Sequence, residues 1–464
     1  MKKLLVFVKK VLLYLAIVVA LIVAVLLGIN AYLVWRNGAR LEAQLAELRA
    51  AGEPTSLKDL ARAPIPPEEN AATFLRRAEN DIKSIYEGVN KLEKQIEAAR
   101  EKAFQESLEK GEMGNERSVG DWSYRSFSVD ARQYSAAERA MAQKIFDAHP
   151  NAIPLLEQAA ACRDYDPQID YTLPAQAFIN KGLDRAIANR AVARVLRART
   201  ALLLAKGRRD DALAGMILLF RLCLHFDHEP LVFGYLCALT CRGIAVDGAN
   251  AVLQSGPVGA ESREALHRHL ARHDVVQAYI RALKSDRAVA LDATSTFPWH
   301  GSWLTRGVLE YPVKLGCLDM IQEHLEWASR PYYDVKPTEP AAKRRSLFTP
   351  PHAVILEELR PPFDGTRTVM EQDRAMVRAL WVLNALQVKA APDAKEPPEL
   401  SDLGLPPEAT IDPFNGQPLH VKKLPQGWLV YSVGKNLVDD GGKIESQADI
   451  GVGPPGCEQQ GESK

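Results

Sequence analysis

At 464 residues the chain is long enough for two or three domains with cores of their own. Lysine plus arginine equals aspartate plus glutamate at 58 each, and no basic stripe is interleaved with aromatics, so nucleic acid is not an expected partner. Six cysteines (Cys162, Cys223, Cys237, Cys241, Cys317 and Cys457) are too few to build a fold of this length from disulfides.

Lys2, Lys3, Lys9 and Lys10 precede VLLYLAIVVALIVAVLLGINAYLVW, a run from 11 to 35 without a charge. About 20 apolar residues rising about 1.5 Å each span the hydrocarbon layer of a bilayer, so this run is expected to be a transmembrane helix. Tyr32 and Trp35 suit the far interface. The lysines ahead of the span predict a cytoplasmic N-terminus over 1–10 and an extracytoplasmic remainder, that is, a single-pass protein of a bacterial inner membrane with the lipid bilayer as its first partner. A cleaved signal fits less well, because the apolar run is long and its small-x-small cleavage site is poor. No cysteine lies near enough for a lipoprotein anchor.

Residues 36–66 read as a stalk and linker. Leu41, Leu45 and Leu48 share a helix face, Gly52 and Pro54 stop it, and a proline-rich connector follows. Pro66 to Glu69 suits a helix first turn, opening a helical domain expected over 67–362. A charge-rich helical pattern, read as a solvated helix or a loose hairpin, runs to about Lys110, and GEMGNERSVGDWSYRSFS after it reads as a loop.

Helical hairpins are clearest over 183–284. One apolar stripe carries Leu183, Ile187, Ala191, Val195 and Leu202, and Gly207 breaks it before Asp210 caps the next helix. That helix carries Leu213, Met216, Ile217, Phe220, Cys223 and Leu224. A third runs from Pro230 to near Leu253, and a fourth carries Leu266, Leu270, Val276, Ile280 and Leu283. Such hairpins stack into bundles or α-solenoids, since one alone cannot bury its apolar face. Cys237 and Cys241, four apart on one face, read as buried small hydrophobes. The stretch ARTALLLAKGRRDDALAGMILL is similar to a tetratricopeptide hairpin, without that repeat's Trp-x-x-Leu-Gly opening or a constant period. Residues 297–362, rich in proline and aromatics, are expected to form short helices wrapping the bundle. A fresh amphipathic helix is predicted at 366–389, with Val369, Met376, Leu380 and Leu383 aligned, then a linker.

In the last segment, over 363–453, Leu419 and Val421 alternate on one side of PQG and Trp428 and Val430 on the other, which predicts a β-hairpin. Beyond it Asn436, Asp439, Asp440 and Asp449 are set among glycines able to take positive φ. Amphipathic helix, Asp-Pro-Phe, Gly-x-Pro, Tyr-Ser-x-Gly, Asp-Asp-Gly-Gly and Ala-Asp-Ile-Gly together resemble the C-terminal half of the major pseudopilins of type II secretion. The resemblance implies a structural calcium ion held by Asp439, Asp440 and Asp449, with Asn436 and main-chain carbonyls completing the shell. The pseudopilin Gly-Phe-Thr-x-x-Glu processing site has no counterpart between Lys10 and Val11. The helical part is also similar to bacterial envelope proteins of uncharacterised role that join one anchor, helical repeats and this tail. Residues 454–464 read as a disordered tail.

Two histidine clusters, His225 with His228 in LCLHFDHEP and His269 with His273 in LHRHLARHD, offer an alternative metal site. His269 and His273 share a helix face at a zinc-compatible spacing, but the Glu of a His-Glu-x-x-His motif is missing. No Gly-x-Ser-x-Gly elbow, P-loop or dinucleotide fingerprint occurs. The expectation is a mainly α fold: one transmembrane helix, a helical-hairpin bundle or α-solenoid-like domain, and a small α+β tail. Its expected role is non-catalytic, holding unidentified envelope proteins at the membrane or joining a secretion or pilus-like assembly. The rival is a membrane-anchored, metal-dependent hydrolase using the histidines.

Overall fold

The computed structural model describes residues 2–109, 135–273, 275–297, 300–334, 350–359, 361–389, 396–444 and 448–454. The loop expected after Lys110, much of the linker after Lys389, and the tail with Cys457 lie outside these. The described chain is mainly helical, with one small antiparallel sheet near its C-terminal end.

Helix α1 (Lys2–Ala50) is unbroken but has two environments. From Val11 to Ile29 its large apolar side chains stand between 41% and 67% exposed, and it is long and apolar enough to cross a membrane. From Asn30 onward it packs on the body. Leu41 is buried with Leu291, Leu315 and Leu318, flanked by Leu45, Leu48 and Tyr311. Positions 30, 34, 37, 41, 44 and 48, alternating steps of four and three, share one face, the spacing that keeps a seam on a neighbouring helix. Gly52, at φ +69°, lets the chain close the helix end, with the Glu53 amide donating to the Leu48 carbonyl.

The segment read as stalk and linker therefore lies against the body. Leu57, in a short 3-10 turn (Leu57–Leu60), is buried and its amide donates to Asp292, while Glu53 pairs with Lys284 and Arg287. Pro66 to Glu69 forms a turn ahead of α2 (Ala71–Glu109). Asn70 caps α2: its Oδ1 accepts from the Ala72 and Asp166 amides, and its Nδ2 donates to the Asp166 carbonyl. Helices α3 (Ala136–Asp147), α4 (Ala152–Ala161) and α5 (Ala175–Ala205) follow, α2 packing against all three.

Helices α5, α6 (Arg209–Phe226) and α7 (Val232–Gln254) form the centre. Almost every apolar side chain of α6 is buried, including Leu213, Met216, Ile217, Phe220 and Cys223. Helix α7 is also apolar enough to span a membrane, but here it is a core helix. The stripe expected on α5 is divided. Val195 and Leu202 are buried, whereas Leu183 and Ile187 are 50% and 58% exposed. The first half of α5 instead buries Phe178, Gly182 and Ala186. A Cβ on Gly182 would sit 3.0 Å from both Leu231 and Phe233, so small residues rather than leucines admit the start of α7.

The fourth helix of the expected pair of hairpins is broken into α8 (Ala260–Leu270) and α9 (Val275–Ala293). The apolar pattern keeps helical phase across the break, so nothing in it marks the turn. Over 297–334 come α10 (Trp303–Thr305), a π-turn (Arg306–Glu310), α11 (Tyr311–Ala328) and a 3-10 turn (Tyr332–Asp334), and α12 (Pro351–Leu359) packs on α11.

Helix α13 (Pro361–Lys389) crosses α7 and α8 and carries the sheet. It buries Met370, Val377, Leu380 and Leu383 and leaves Val369 38% exposed. Strands β1 (His420–Leu424) and β2 (Gly427–Ser432) pair antiparallel around Pro425 and Gln426, with Val421 opposite Val430. Strand β3 (Ile450–Val452) adds to β2 on its other edge. Trp428, Val430 and Val452 belong to the same buried cluster as α13 and the α5–α7 centre.

Candidate functional site

The acidic loop between β2 and β3 turns through Leu437, Gly441 and Gly442, all at positive φ. Asp449, 1% exposed, faces backbone donors: its Oδ2 accepts from the Gly442 amide at 2.7 Å and the Lys443 amide at 3.2 Å, and its Oδ1 from the Asp440 amide at 3.3 Å. Asp439 Oδ1 accepts from the Tyr431 hydroxyl at 3.0 Å and the Gly441 amide at 2.9 Å. Burial works against the Asp439 carboxylate, but these donors hold its pKa below the ordinary value. Asn436 Nδ2 donates to Asp440 Oδ2 at 2.8 Å, and Lys422 Nζ takes the Gly441 carbonyl at 2.9 Å.

The four residues expected to hold calcium thus share one loop, but as a nest of N–H groups closing on a carboxylate. Amide donors already take up much of the acceptor capacity of Asp449 and Asp439, so a cation among them would share the remaining lone pairs with those donors. Residues 445–447 of the loop lie outside the described set. A neighbouring carboxylate that the sequence reading passed over, Asp412, anchors the sheet. Its Oδ1 accepts from the Phe414 amide and the Ser432 hydroxyl, both at 2.8 Å, and its Oδ2 from the Val433 amide at 2.9 Å.

The histidines fall into different surroundings. His225, at the end of α6, is buried beside Tyr165, with ring centroids 6.2 Å apart, and burial and then His228 push its pKa down to about 4. Burial and then Arg281 likewise bring His228 down to about 4. His269 lies on α8 and is lowered by burial and then Arg221. His273, in the break between α8 and α9, packs its ring 5.5 Å from that of Phe220 and accepts from Arg242 Nε through Nδ1 at 3.2 Å. Burial and then Arg242 hold it well below the ordinary value, so it is neutral. Among the described residues no three His, Cys, Asp or Glu side chains are grouped to hold a metal ion.

Arg242 is the hub of the interior. It is fully buried, donates twice through Nη2 to Asp227 at 2.5 and 2.6 Å, and through Nη1 to Asp373 at 3.0 Å. Burial opposes its charge, but the two carboxylates raise its pKa well above normal. Burial pushes Asp373 up to about 6, against the pull of Arg242. The end of α6, the middle of α7, the break between α8 and α9 and the first half of α13 are thereby tied to one guanidinium. With three of its nitrogens engaged and no exposed surface, Arg242 has no open side for a substrate.

The remaining candidate is the junction where α1 enters the body. Two asparagines of α1, seven apart on one face, meet carbonyls of α10 and of the π-turn that follows it. Asn30 Nδ2 donates to the Trp303 carbonyl and Asn37 Nδ2 to the Gly307 carbonyl, both at 2.9 Å. Gly307 is needed here because a Cβ would stand 2.9 Å from the Val34 amide nitrogen and 3.1 Å from the Asn30 carbonyl oxygen, backbone atoms that cannot turn aside. Farther along, Arg40 and Gln44 reach the Asp319 carboxylate at 3.0 and 3.2 Å. Within the π-turn Glu310, 3% exposed, faces His300 at 3.2 Å and Lys314 at 3.3 Å. The signal in the sequence was Asn30 itself, a buried amide in an otherwise apolar run. Compared with protein-family models, curated proteins and solved structures, the chain finds no match.

Proposed function

We propose that this chain is a single-pass protein of a bacterial inner membrane. Its N-terminus faces the cytoplasm and its helical body is an extracytoplasmic platform that holds other envelope proteins. One observation carries the reading: among the described residues the apolar half of α1 has no partner in the body, while the half beyond Asn30 is fastened to it by side-chain amides and a leucine seam. An uncovered helix of this composition needs hydrocarbon around it. Its firm continuation into the body gives the platform a fixed seat.

The buried, closed character of the Arg242 cluster supports a structural rather than a chemical role for the interior charges. On the C-terminal resemblance alone, we extend the reading to partners in a secretion or pilus-like assembly. Alkaline carbonate extraction tests the anchor and reporter fusions its orientation. The protein should stay with the membrane pellet, with C-terminal alkaline phosphatase active and C-terminal green fluorescent protein dark. Release into the supernatant, or the reverse reporter pattern, refutes the proposal.

A further inference from the structure

We propose that α10 and the π-turn form a membrane-interface wedge: Trp303, Leu304 and Val308 enter the lipid leaflet from which α1 emerges, so the body rests on the bilayer surface. The inference rests on α1 being the anchor. Its location follows from helix geometry. Nineteen steps from Val11 to Asn30, at about 1.5 Å each, cover roughly 29 Å, close to the hydrocarbon thickness of about 30 Å. The charge-free run continues to Trp35, so residues 30–35 reach past the hydrocarbon edge into the interfacial layer.

The Asn30 to Trp303 hydrogen bond and the contact of Gly307 with Val34 bring α10 and the π-turn to this level. There Trp303, Leu304 and Val308 are 42%, 62% and 44% exposed, in company with Tyr32 at 54% and Trp35 at 71% on α1. These five apolar or amphipathic side chains surround one end of the span, where aromatic belts gather. Of the polar groups that accompany them, Asn30 donates through Nδ2 to the Trp303 carbonyl, and Glu310 is buried and faces His300 and Lys314. The surface is continuous with the lipid-facing side of α1, which is why its occupant is the bilayer.

The test uses full-length protein in liposomes containing nitroxide-labelled lipids, with the Trp303 emission obtained as the difference between wild type and Trp303→Phe. Trp35→Phe provides the same difference for α1. A nitroxide near the headgroup should quench the Trp303 component at least about two-fold more than one near the chain end. Aqueous iodide should leave it unaffected. Quenching by iodide and not by lipid nitroxides places Trp303 in water and overturns the wedge, as does indifference to both, which means that protein covers it. The Trp35 component and carbonate resistance report the anchor separately. Loss of both signals indicts the anchor, whereas loss of the Trp303 signal alone indicts the wedge.

Discussion

Replacing Arg242 with methionine keeps the approximate length of the side chain and removes its charge, so the consequence can be worked out group by group. The substitution deletes two bonds to Asp227 at 2.5 and 2.6 Å, one to Asp373 at 3.0 Å and one to His273 at 3.2 Å. It leaves two carboxylates, each 6% exposed. Removing one partner from a buried ion cluster costs about 3–5 kcal/mol, chiefly through the charges left behind. Asp373 already titrates near 6 with the guanidinium present, about two units above its ordinary value, or about 3 kcal/mol of resistance to ionisation. Without Arg242 both carboxylates should hold their protons to higher pH. A raised carboxylate binds more protons folded than unfolded, so the variant's stability should fall as pH rises from about 4 through the new values, by up to about 1.4 kcal/mol per unit per group. Chemical denaturation in detergent, followed by near-UV circular dichroism, should show a deficit of about 4 kcal/mol at pH 8 that shrinks below about 2 kcal/mol at pH 5. Adding Asp227→Asn and Asp373→Asn should recover more than half of it. A deficit under about 1 kcal/mol at pH 8, or one independent of pH, refutes the assignment of Arg242 as the charge that holds these helices together.

Four other outcomes are expected. Gly307→Ala sets a methyl against the backbone of α1 and should loosen the junction by about 1–3 kcal/mol, raising hydrogen exchange over 30–48 while α7 stays protected; unchanged exchange there rules out the contact. His225 is neutral when folded, with its pKa near 4 against an ordinary 6.5, so the unfolded chain gains a proton below pH 6.5 that the folded one refuses. Stability should therefore drop by up to about 3 kcal/mol between pH 6.5 and 4 from this residue, and His225→Gln should flatten that part of the melting profile. Asp449→Asn weakens a carboxylate that takes three amide donors and should cost about 1.5–3 kcal/mol. Millimolar calcium should leave the wild-type melting temperature within about 1 °C, whereas a saturable rise abolished by Asp439→Asn and Asp440→Asn shows the loop reorganising around an ion.

Much of the helical architecture is legible because it depends on local pattern: the charge-free run, the leucines at 41, 45 and 48, Gly52 as a stop, and the alternation around Pro425 and Gly427. What escapes is set by partners distant in sequence. The α5 stripe reads as continuous through Leu183 and Ile187, yet α7 approaches over Gly182 and Ala186, and close packing of small residues leaves no hydrophobic signature. The break between α8 and α9 is silent because His273, which lies within it, keeps a helical interval from His269. Arg242 finds its partners at 227, 273 and 373, three segments that no periodicity connects. The acidic loop has the composition of a cation site, and only the direction of its amide hydrogens shows that Asp449 is their target. Asn30 and Gly307 look incidental until the π-turn brings them together.

A depth profile along α1 tests the central claim most directly. Nitroxide labels at Val18, Ile22 and Leu26, and at Ala39, Ala43 and Ala46, all exposed positions on one helix, can be compared in liposomes for collisions with oxygen and with a water-soluble nickel chelate. Lipid-embedded positions favour oxygen and aqueous ones favour nickel, so the first three should report hydrocarbon and the last three water, with the change close to Asn30. Nickel access at Val18 and Ile22 equal to that at Ala43 would contradict the anchor and the seating of the body built on it.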